Sequence, residues 1–327
     1  MPESMLLATP RKLPVFTKEA VVNGEPTEME CMEIGGQTYT ITKGAVRMAG
    51  LEDDWFEDVR DPDSVITSLR RNRGLKPDIF TFLQRLPETE PRYTYQMEYE
   101  SIAALPIRNY DHWWNKQIKA VTRNMVRKSQ KAGVEVREAA FDDDFVRGMV
   151  AIFNETPIRQ GRRFWHYGKD FDTVKRQFSR FLFREDVIGA YYRDELIGFV
   201  MLGDAGRYGV LGQIISLVQH RDKATNNALI AKAVEVCARK ELPYLVYGLW
   251  ANSSLVDFKR HSGFEEAKLP RYFVPITQKG RLVLKLGVHR DWKAIVPDRV
   301  KSPLKRFRRL WYGWRAKLRG VKASAQA

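Results

Sequence analysis

The chain has 327 residues with 44% hydrophobic and 12% aromatic content, enough for one large or two modest folded domains and too much for a disordered chain. No apolar stretch reaches about 18 residues, and the opening MPESMLLATPRKLP lacks the basic start and apolar core of a secretory signal. The sequence therefore predicts neither a membrane-spanning helix nor export by that route. The net charge of +15 is uneven: ten Lys and Arg, and no Asp or Glu, fall between Arg299 and Ala327. A cluster of one sign points to an anionic partner, membrane lipid or RNA.

In chain order, residues 1 to 27 lack periodicity and read as a loose leader. "MECMEI" and "QTYTIT" flank Gly35-Gly36 and predict a hairpin over Glu30 to Thr42. Ser64 to Leu69 and Ile79 to Leu86 read as short helices, the second entered through Pro77-Asp78. Arg92 to Leu105 reads as a strand or strand pair. Tyr110 to Ala132 reads as one helix, with Trp113, Trp114, Ile118, Val121 and Met125 at helical spacing and Gly133 as its stop.

Beyond it come a strand (Val134 to Glu138), a helix with acidic residues at its start (Asp142 to Phe153) and a second helix (Phe171 to Phe183). Val187 to Tyr192, Glu195 to Gly203 and Tyr208 to Val218 form a meander, with turns at Arg193-Asp194 and Ala205-Gly206. A helix over Ala224 to Lys240 places Leu229, Ile230, Ala233, Val234 and Cys237 on one face. Cys237 is thus expected to be a reduced core thiol. Cys31 and Cys237 match no metal or redox spacing, and no metal site is expected. A strand (Tyr244 to Trp250), a short helix (Ser253 to His261) and a last strand (Arg271 to Ile276) follow. The division this implies is an N-terminal α+β region over 28–108, a second domain over 109–278 and a basic extension over 279–327.

Three segments carry a family likeness. "TRNMVRKSQKAGVEVRE" (Thr122 to Glu138) resembles the basic helix, Gly turn and first strand of Fem-like proteins. "SLVDFKRHSGFE" (Ser254 to Glu265) resembles the helix-to-turn segment that GCN5-related N-acetyltransferases (GNAT) end with Gly-Phe and Fem-like proteins mark with Phe-Lys. "ELIGFVMLGDAGRYGVLGQIIS" resembles the central hairpin of that fold. Residues from about Val121 to Pro275, half the chain, are thus similar to a GNAT-type acyltransferase, nearest its Fem-like aminoacyltransferase branch. The resemblance implies an α/β (α+β) fold with a mixed central sheet flanked by helices, and a cleft between the strands ending near Val218 and starting near Tyr244.

It also implies a donor, acyl-CoA or aminoacyl-tRNA, held by the loop and helix start after the fourth strand. Here that segment is "QHRDKATNNA", Gln219 to Ala228, with Arg221, Lys223, Asn226 and Asn227 as candidate donor contacts and no glycine to let phosphate approach the backbone. Where many GNAT enzymes place a proton-donating tyrosine, this chain has Phe258. Lys259, in the Phe-Lys position, either meets a donor phosphate or coats the surface.

The densest polar run is "NETPIRQGRRFWHYGKD", Asn154 to Asp170. Arg159, Arg162 and Arg163 suit planar recognition of phosphate or carboxylate, and Trp165 and Tyr167 offer aromatic faces to a sugar or base. The competing reading is a loop docked on the other domain. Acyl transfer to an amine needs a base, for which Glu155 and His166 lead, with His261 and Asp257 behind them. Gln213 either binds substrate or makes an edge-of-core hydrogen bond.

In the tail, Leu304, Phe307, Trp311, Trp314 and Leu318 recur at helical spacing among bases. This basic amphipathic helix over 299–322 suits an anionic membrane surface, packing on the domain, or RNA. The expected protein is cytoplasmic, peripheral at a membrane's inner face, and moves an acyl or aminoacyl group onto an amine of a small, sugar-bearing or phosphate-bearing acceptor such as a glycan precursor. The alternative is a catalytically silent module that binds RNA or an anionic membrane.

Overall fold

The computed structural model describes residues 13–289 except 23, 24, 43, 73, 75, 160, 251–253 and 288. The amphipathic stripe of the tail and the start of the leader lie outside them. The described chain divides into two compact units. One comprises residues up to Arg85, Glu90–Glu98 and those from Pro270 onward; the other comprises Leu86–Thr89 and Tyr99–Leu269. The strand expected near residues 99–105 therefore belongs to the second unit, and residues 270–278 return to the first.

The first unit opens with β1 (Val15–Val22), β2 (Glu25–Ile34), β3 (Gln37–Ile41) and β4 (Met48–Leu51), each antiparallel to the one before. The leader is thus partly a strand, held by backbone pairing that leaves little trace in side-chain pattern. Gly35 and Gly36 take φ of 59° and 70°, the left-handed pair a two-residue hairpin requires. Helix α1 (Pro62–Arg71) starts on an Asp61 cap that accepts from Ser64 N, and buries Val65, Ile66 and Leu69. Ile79 to Leu86 does not form the expected helix. Ile79–Leu83 is strand β5, parallel to β4 and buried at every residue. Five consecutive apolar or β-branched residues fit a doubly covered strand as well as a helix, and length decides for the strand.

Strand β6 (Gln96–Pro106) belongs to the second unit from Tyr99 onward. The single helix expected over 110–132 is instead broken: α2 (Tyr110–His112) runs into one wide turn, Trp113–Gln117, Ile118 is extended, and α3 spans Ala120–Lys131. Tertiary bonds account for the break. Trp113, fully buried, donates Nε1–H to Ser262 O at 3.0 Å, and Arg123 collects the freed carbonyls of Trp114 and Ile118.

Next come β7 (Glu135–Glu138) and α4 (Asp143–Asn154), the latter capped by Asp142 on Phe145 N. A short hairpin, β8 (Ile158–Arg159) and β9 (Arg162–Arg163), leads to α5 (Phe171–Phe178). The meander is β10 (Glu185–Tyr192), β11 (Glu195–Asp204) and β12 (Gly209–Ser216), with Arg193 and Asp194 both at positive φ in its first turn. Helix α6 (Thr225–Arg239) buries Leu229, Ile230, Ala233, Val234 and Cys237 as its stripe predicts. Burial pushes the Cys237 thiol up to about 12, so it is an inert core group.

β13 (Tyr244–Leu249) and α7 (Ser254–His261) complete this unit, whose strand order is β6-β13-β12-β11-β10-β7. β14 (Glu265–Pro275) then pairs with β5 through Arg271 to Pro275, and α8 (Gln278–Lys285) closes the first unit. The whole is a mixed α+β fold of mostly antiparallel sheet flanked by helices.

Candidate functional site

β12 and β13 are parallel, but they pair only at Gly209–Leu245 and Val210–Val246. Immediately beyond, each strand is irregular. Against β11, the pairs Leu211–Leu202 and Gln213–Met201 leave Gly212 bulged out of β12. Against β6, the register of β13 breaks between Val246 and Leu249, where Gly248 sits at φ 56°. Bulges bend and twist strands, so these two part instead of continuing their ladder.

The gap is a cleft of about 960 Å³, at the upper end for a small-molecule site. Gln213 and Ser216 face it from β12, and Tyr247, Leu255 and Phe258 from β13 and α7. Arg159, Arg163, Phe164 and Trp165 line it from the α4–α5 connection, with Trp165 exposed. The start of α6 closes one end.

An ion pair builds much of this frame. Arg159 donates to Ser216 O at 2.8 Å, to Ile152 O at 2.9 Å and to Glu155 Oε2 at 2.9 Å, with its guanidinium 5.0 Å from the Phe164 ring. Glu155 also accepts from Val218 N at 2.7 Å and Gln219 N at 2.8 Å. The pair therefore ties the end of α4 to the end of β12 and to the turn that follows. Expected as a clamp for substrate, Arg159 spends both terminal nitrogens on the protein, and its buried Nε has no hydrogen-bond partner among the described residues; expected as a base, Glu155 has both oxygens engaged as acceptors. Asn154 fixes the same connection by bonding Lys169 O and Gly168 N.

At the closed end, Ala224 takes the left-handed conformation (φ 52°, ψ 35°) and no side chain caps α6. An alanine can do this at about 1–2 kcal/mol, so the turn forms without the glycine whose absence the sequence analysis noted. Arg221, Asn226 and Asn227 line the cleft here. Thr225 is 2% exposed, and its Oγ1, like Asn226 Oδ1, has no hydrogen-bond partner among the described residues. Uncapped amides, a helix dipole and an adjacent guanidinium make this end attractive to an anion.

The remaining candidates lie elsewhere. His166 does not line the cleft. It is 5% exposed, stacked on Phe153 with ring centroids 4.4 Å apart, and its Nδ1 lies 3.3 Å from Lys169 Nζ. Burial, and then the Lys169 charge, push its pKa down to about 3, so it is a neutral core imidazole. Its solution value near 6.5 returns on unfolding. Between those values the unfolded chain binds a proton that the folded chain refuses, so stability falls as pH drops through this window. Urea titrations should show wild type losing about 2 kcal/mol more than His166→Phe between pH 7 and pH 5; equal losses would show that the imidazole protonates freely in place.

Tyr167 is exposed and outside the cleft lining; Lys223 is also outside it but half-buried, its Nζ 4.6 Å from the Tyr192 ring centre and 3.3 Å from Asp222. The side chain of Arg162 is outside the described set. His261 offers its carbonyl to Thr122 Oγ1, and Asp257 is an exposed partner of Arg260. Lys259 neither coats the surface nor opens to solvent. It is 4% exposed and donates to the carbonyls of Tyr247 (2.6 Å) and Leu249 (2.9 Å), and burial pushes its ammonium down to about 8. It holds the bulged end of β13.

Two groups escaped the sequence reading. Tyr247 looked like one more core residue of an apolar strand, since only the parting of β12 and β13 turns it to the cleft. Thr225 looked like an ordinary helix start. Glu185, at the start of β10, is a third unusual group: burial pushes its carboxyl up to about 7. It does not line the cleft.

Comparison with solved structures agrees with this topology. The C-terminal DUF2156 domain of an Agrobacterium fabrum protein described as a lysylphosphatidylglycerol synthetase matches with TM-score 0.54 at 12% identity, over 79% of this chain and 87% of that one. L-PGS from Bacillus licheniformis matches with TM-score 0.51 at 13% identity, over 75% and 83%. The fold is shared with these two domains. FemX itself aligns over 79% of this chain and 88% of its own at 11% identity, with TM-score 0.48. No family model and no curated protein matches the chain. No helix among the described residues is long and apolar enough to cross a membrane.

Proposed function

We propose that the protein is an N-acyltransferase that moves an acyl or aminoacyl group from a phosphate-bearing donor to the amine of a small, sugar-bearing or phosphate-bearing acceptor. The observation that carries this reading is the α6 start: a helix end without a side-chain cap opening on the cleft, beside Arg221, with Thr225 Oγ1 and Asn226 Oδ1 unpartnered among the described residues. Acyl-CoA and aminoacyl-tRNA share the chemistry this end favours, a phosphate near a reactive ester. The cleft is large enough to hold such a donor's reactive end against an acceptor, with Arg163 and Trp165 also in its lining. Reaction by direct attack suits a lining without cysteine, since no thiol nucleophile faces the cleft.

Thermal-shift measurements with acetyl-CoA, a longer acyl-CoA and aminoacyl-tRNA test this directly. A donor at about 100 times its dissociation constant should stabilise by about 2.7 kcal/mol. Arg221→Glu should remove most of that gain without lowering the stability of the free protein, because Arg221 is exposed. Absence of any shift with all three donors would overturn the reading and favour a module that binds RNA or anionic lipid without turnover.

A further inference from the structure

Helix α3 carries charges that its own stability does not explain. From Trp113 to Lys131, through the wide turn and α3, the chain has Lys116, Lys119, Arg123, Arg127, Lys128 and Lys131 and no Asp or Glu. Lys128 and Lys131, in the last turn, suit the negative end of the helix dipole. Lys119 does not. It is the N-cap residue, with a side chain that cannot accept from the helix amides, and no acid stands in the first turn. A cation thus sits at the positive end of the dipole, and Lys116 in the preceding turn adds to it. A local conflict of this kind marks a surface that serves something outside the chain.

These cations are also unpaired. Arg123 alone turns inward, to the carbonyls of Trp114 and Ile118. Lys116, Lys119, Arg127, Lys128 and Lys131 are exposed, and none makes an ion pair with another described residue. At helical spacing Val121, Asn124, Arg127, Lys128 and Lys131 fall within an arc of about 120°, with Thr122, Val126 and Ser129 buried on the other side. The helices packed against α3 do not neutralise the face. On α6, Lys232 pairs with Glu235 and Arg239 with Glu138; on α7, Arg260 pairs with Asp257.

Two aromatic groups border the bases. Trp114 and Tyr110, both half-buried, stack with ring centres 6.2 Å apart, and the Arg127 guanidinium lies 5.7 Å from the Trp114 ring centre. Val121 is exposed among the bases. The face therefore combines unbalanced positive charge, an apolar side chain and amphipathic rings, the composition that settles at headgroup depth on a lipid surface. Of the five exposed bases, four are Lys. Compact hydrated ammonium groups suit the diffuse potential of anionic lipid better than the planar, two-bond contacts that Arg makes with single phosphates.

We propose that this face of α3 docks the protein on an anionic membrane surface. Docking of this kind needs neither donor nor acceptor, so it stands or falls apart from the transfer reading.

Co-sedimentation of the full chain with lipid vesicles tests it, using phosphatidylcholine alone and phosphatidylcholine with about one-third phosphatidylglycerol. The chain should bind the anionic vesicles and not the neutral ones, and raising salt from about 0.1 M to about 0.5 M should release it. Each base near such a surface contributes about fivefold, so Lys119→Gln, Lys128→Gln and Lys131→Gln together should weaken binding by about 100-fold, and Lys128→Gln alone by about fivefold. Arg71→Gln, Lys76→Gln and Lys268→Gln together remove the same charge from exposed positions elsewhere. They should weaken binding by less than about threefold, since charges beyond a Debye length of the lipid are screened. Thermal unfolding of both triple variants should match wild type, because every substituted side chain is exposed. Equal losses in the two triple variants would overturn the proposal by showing that net charge alone does the binding. So would a wild-type chain that ignores the anionic vesicles. An α3 variant that loses affinity for an RNA duplex but keeps its vesicle binding would overturn it in favour of a nucleic-acid partner.

Discussion

Arg159→Met is expected to destabilise the protein by about 3 kcal/mol and to weaken donor binding by at least about tenfold. The substitution removes bonds to Ser216 O, Ile152 O and Glu155 at once. It leaves the Glu155 carboxylate without its cation, although that carboxylate still accepts from Val218 N and Gln219 N. Both side chains of the pair are 16% exposed, which places the cost between that of a surface ion pair, near zero to about 1 kcal/mol, and that of breaking a buried one, about 3–5 kcal/mol. The functional loss follows from geometry, since the pair holds the turn leading into α6. A double-mutant cycle with Glu155→Gln should give a coupling of about 1–3 kcal/mol. A stability loss below about 1 kcal/mol with unchanged donor affinity would mean that the pair frames nothing.

The second large effect lies in the other unit and runs against helix propensity. Gly280 sits in the first turn of α8, where Gly→Ala would ordinarily gain about 1 kcal/mol. A Cβ there would overlap the carbonyl oxygen of Asp78 and stand 2.7 Å from its carbonyl carbon. Neither atom can step aside. The Asp78 carbonyl accepts from Ile276 N at 2.9 Å, and its carboxylate accepts from Arg47 N at 3.0 Å and Thr277 Oγ1 at 2.9 Å. Steric overlap with fixed backbone costs more than propensity returns, so Gly280→Ala should destabilise by about 3 kcal/mol. Gln278→Ala, at an exposed neighbouring position, should stay within about 0.5 kcal/mol. A Gly280→Ala variant as stable as wild type would show that α8 can lift from Asp78 at little cost.

Elements whose determinants lie a few residues apart were legible. The three-strand meander of Val187 to Val218, the Arg193-Asp194 and Gly35-Gly36 turns, and the stripe from Leu229 to Cys237 all depend on neighbours in sequence, and all appear as expected. Ile79–Leu83 was misread because a short apolar run has no periodicity to separate strand from helix. The helix expected over 110–132 was misread because its break is imposed by Ser262, some 149 residues away from Trp113.

The site divides the same way. The loop after α4 could be singled out by composition, and the start of α6 by the family resemblance. The roles could not. A loop with arginines, aromatics and a histidine looks like a ligand surface, yet Phe153 takes His166 into the core and Glu155 takes Arg159 into the frame. Lys259 reads as surface until β13 bends and presents two carbonyls to it.

By itself, then, the sequence determined the order of most elements of the second unit and the faces they bury, because periodicity, turns and caps act within one or two helical turns; the place of the cleft came from the family resemblance. Tertiary structure alone decided which polar groups face that cleft. That choice depends on where two strands stop pairing and on which charges find partners across the fold, and neither is encoded in local spacing.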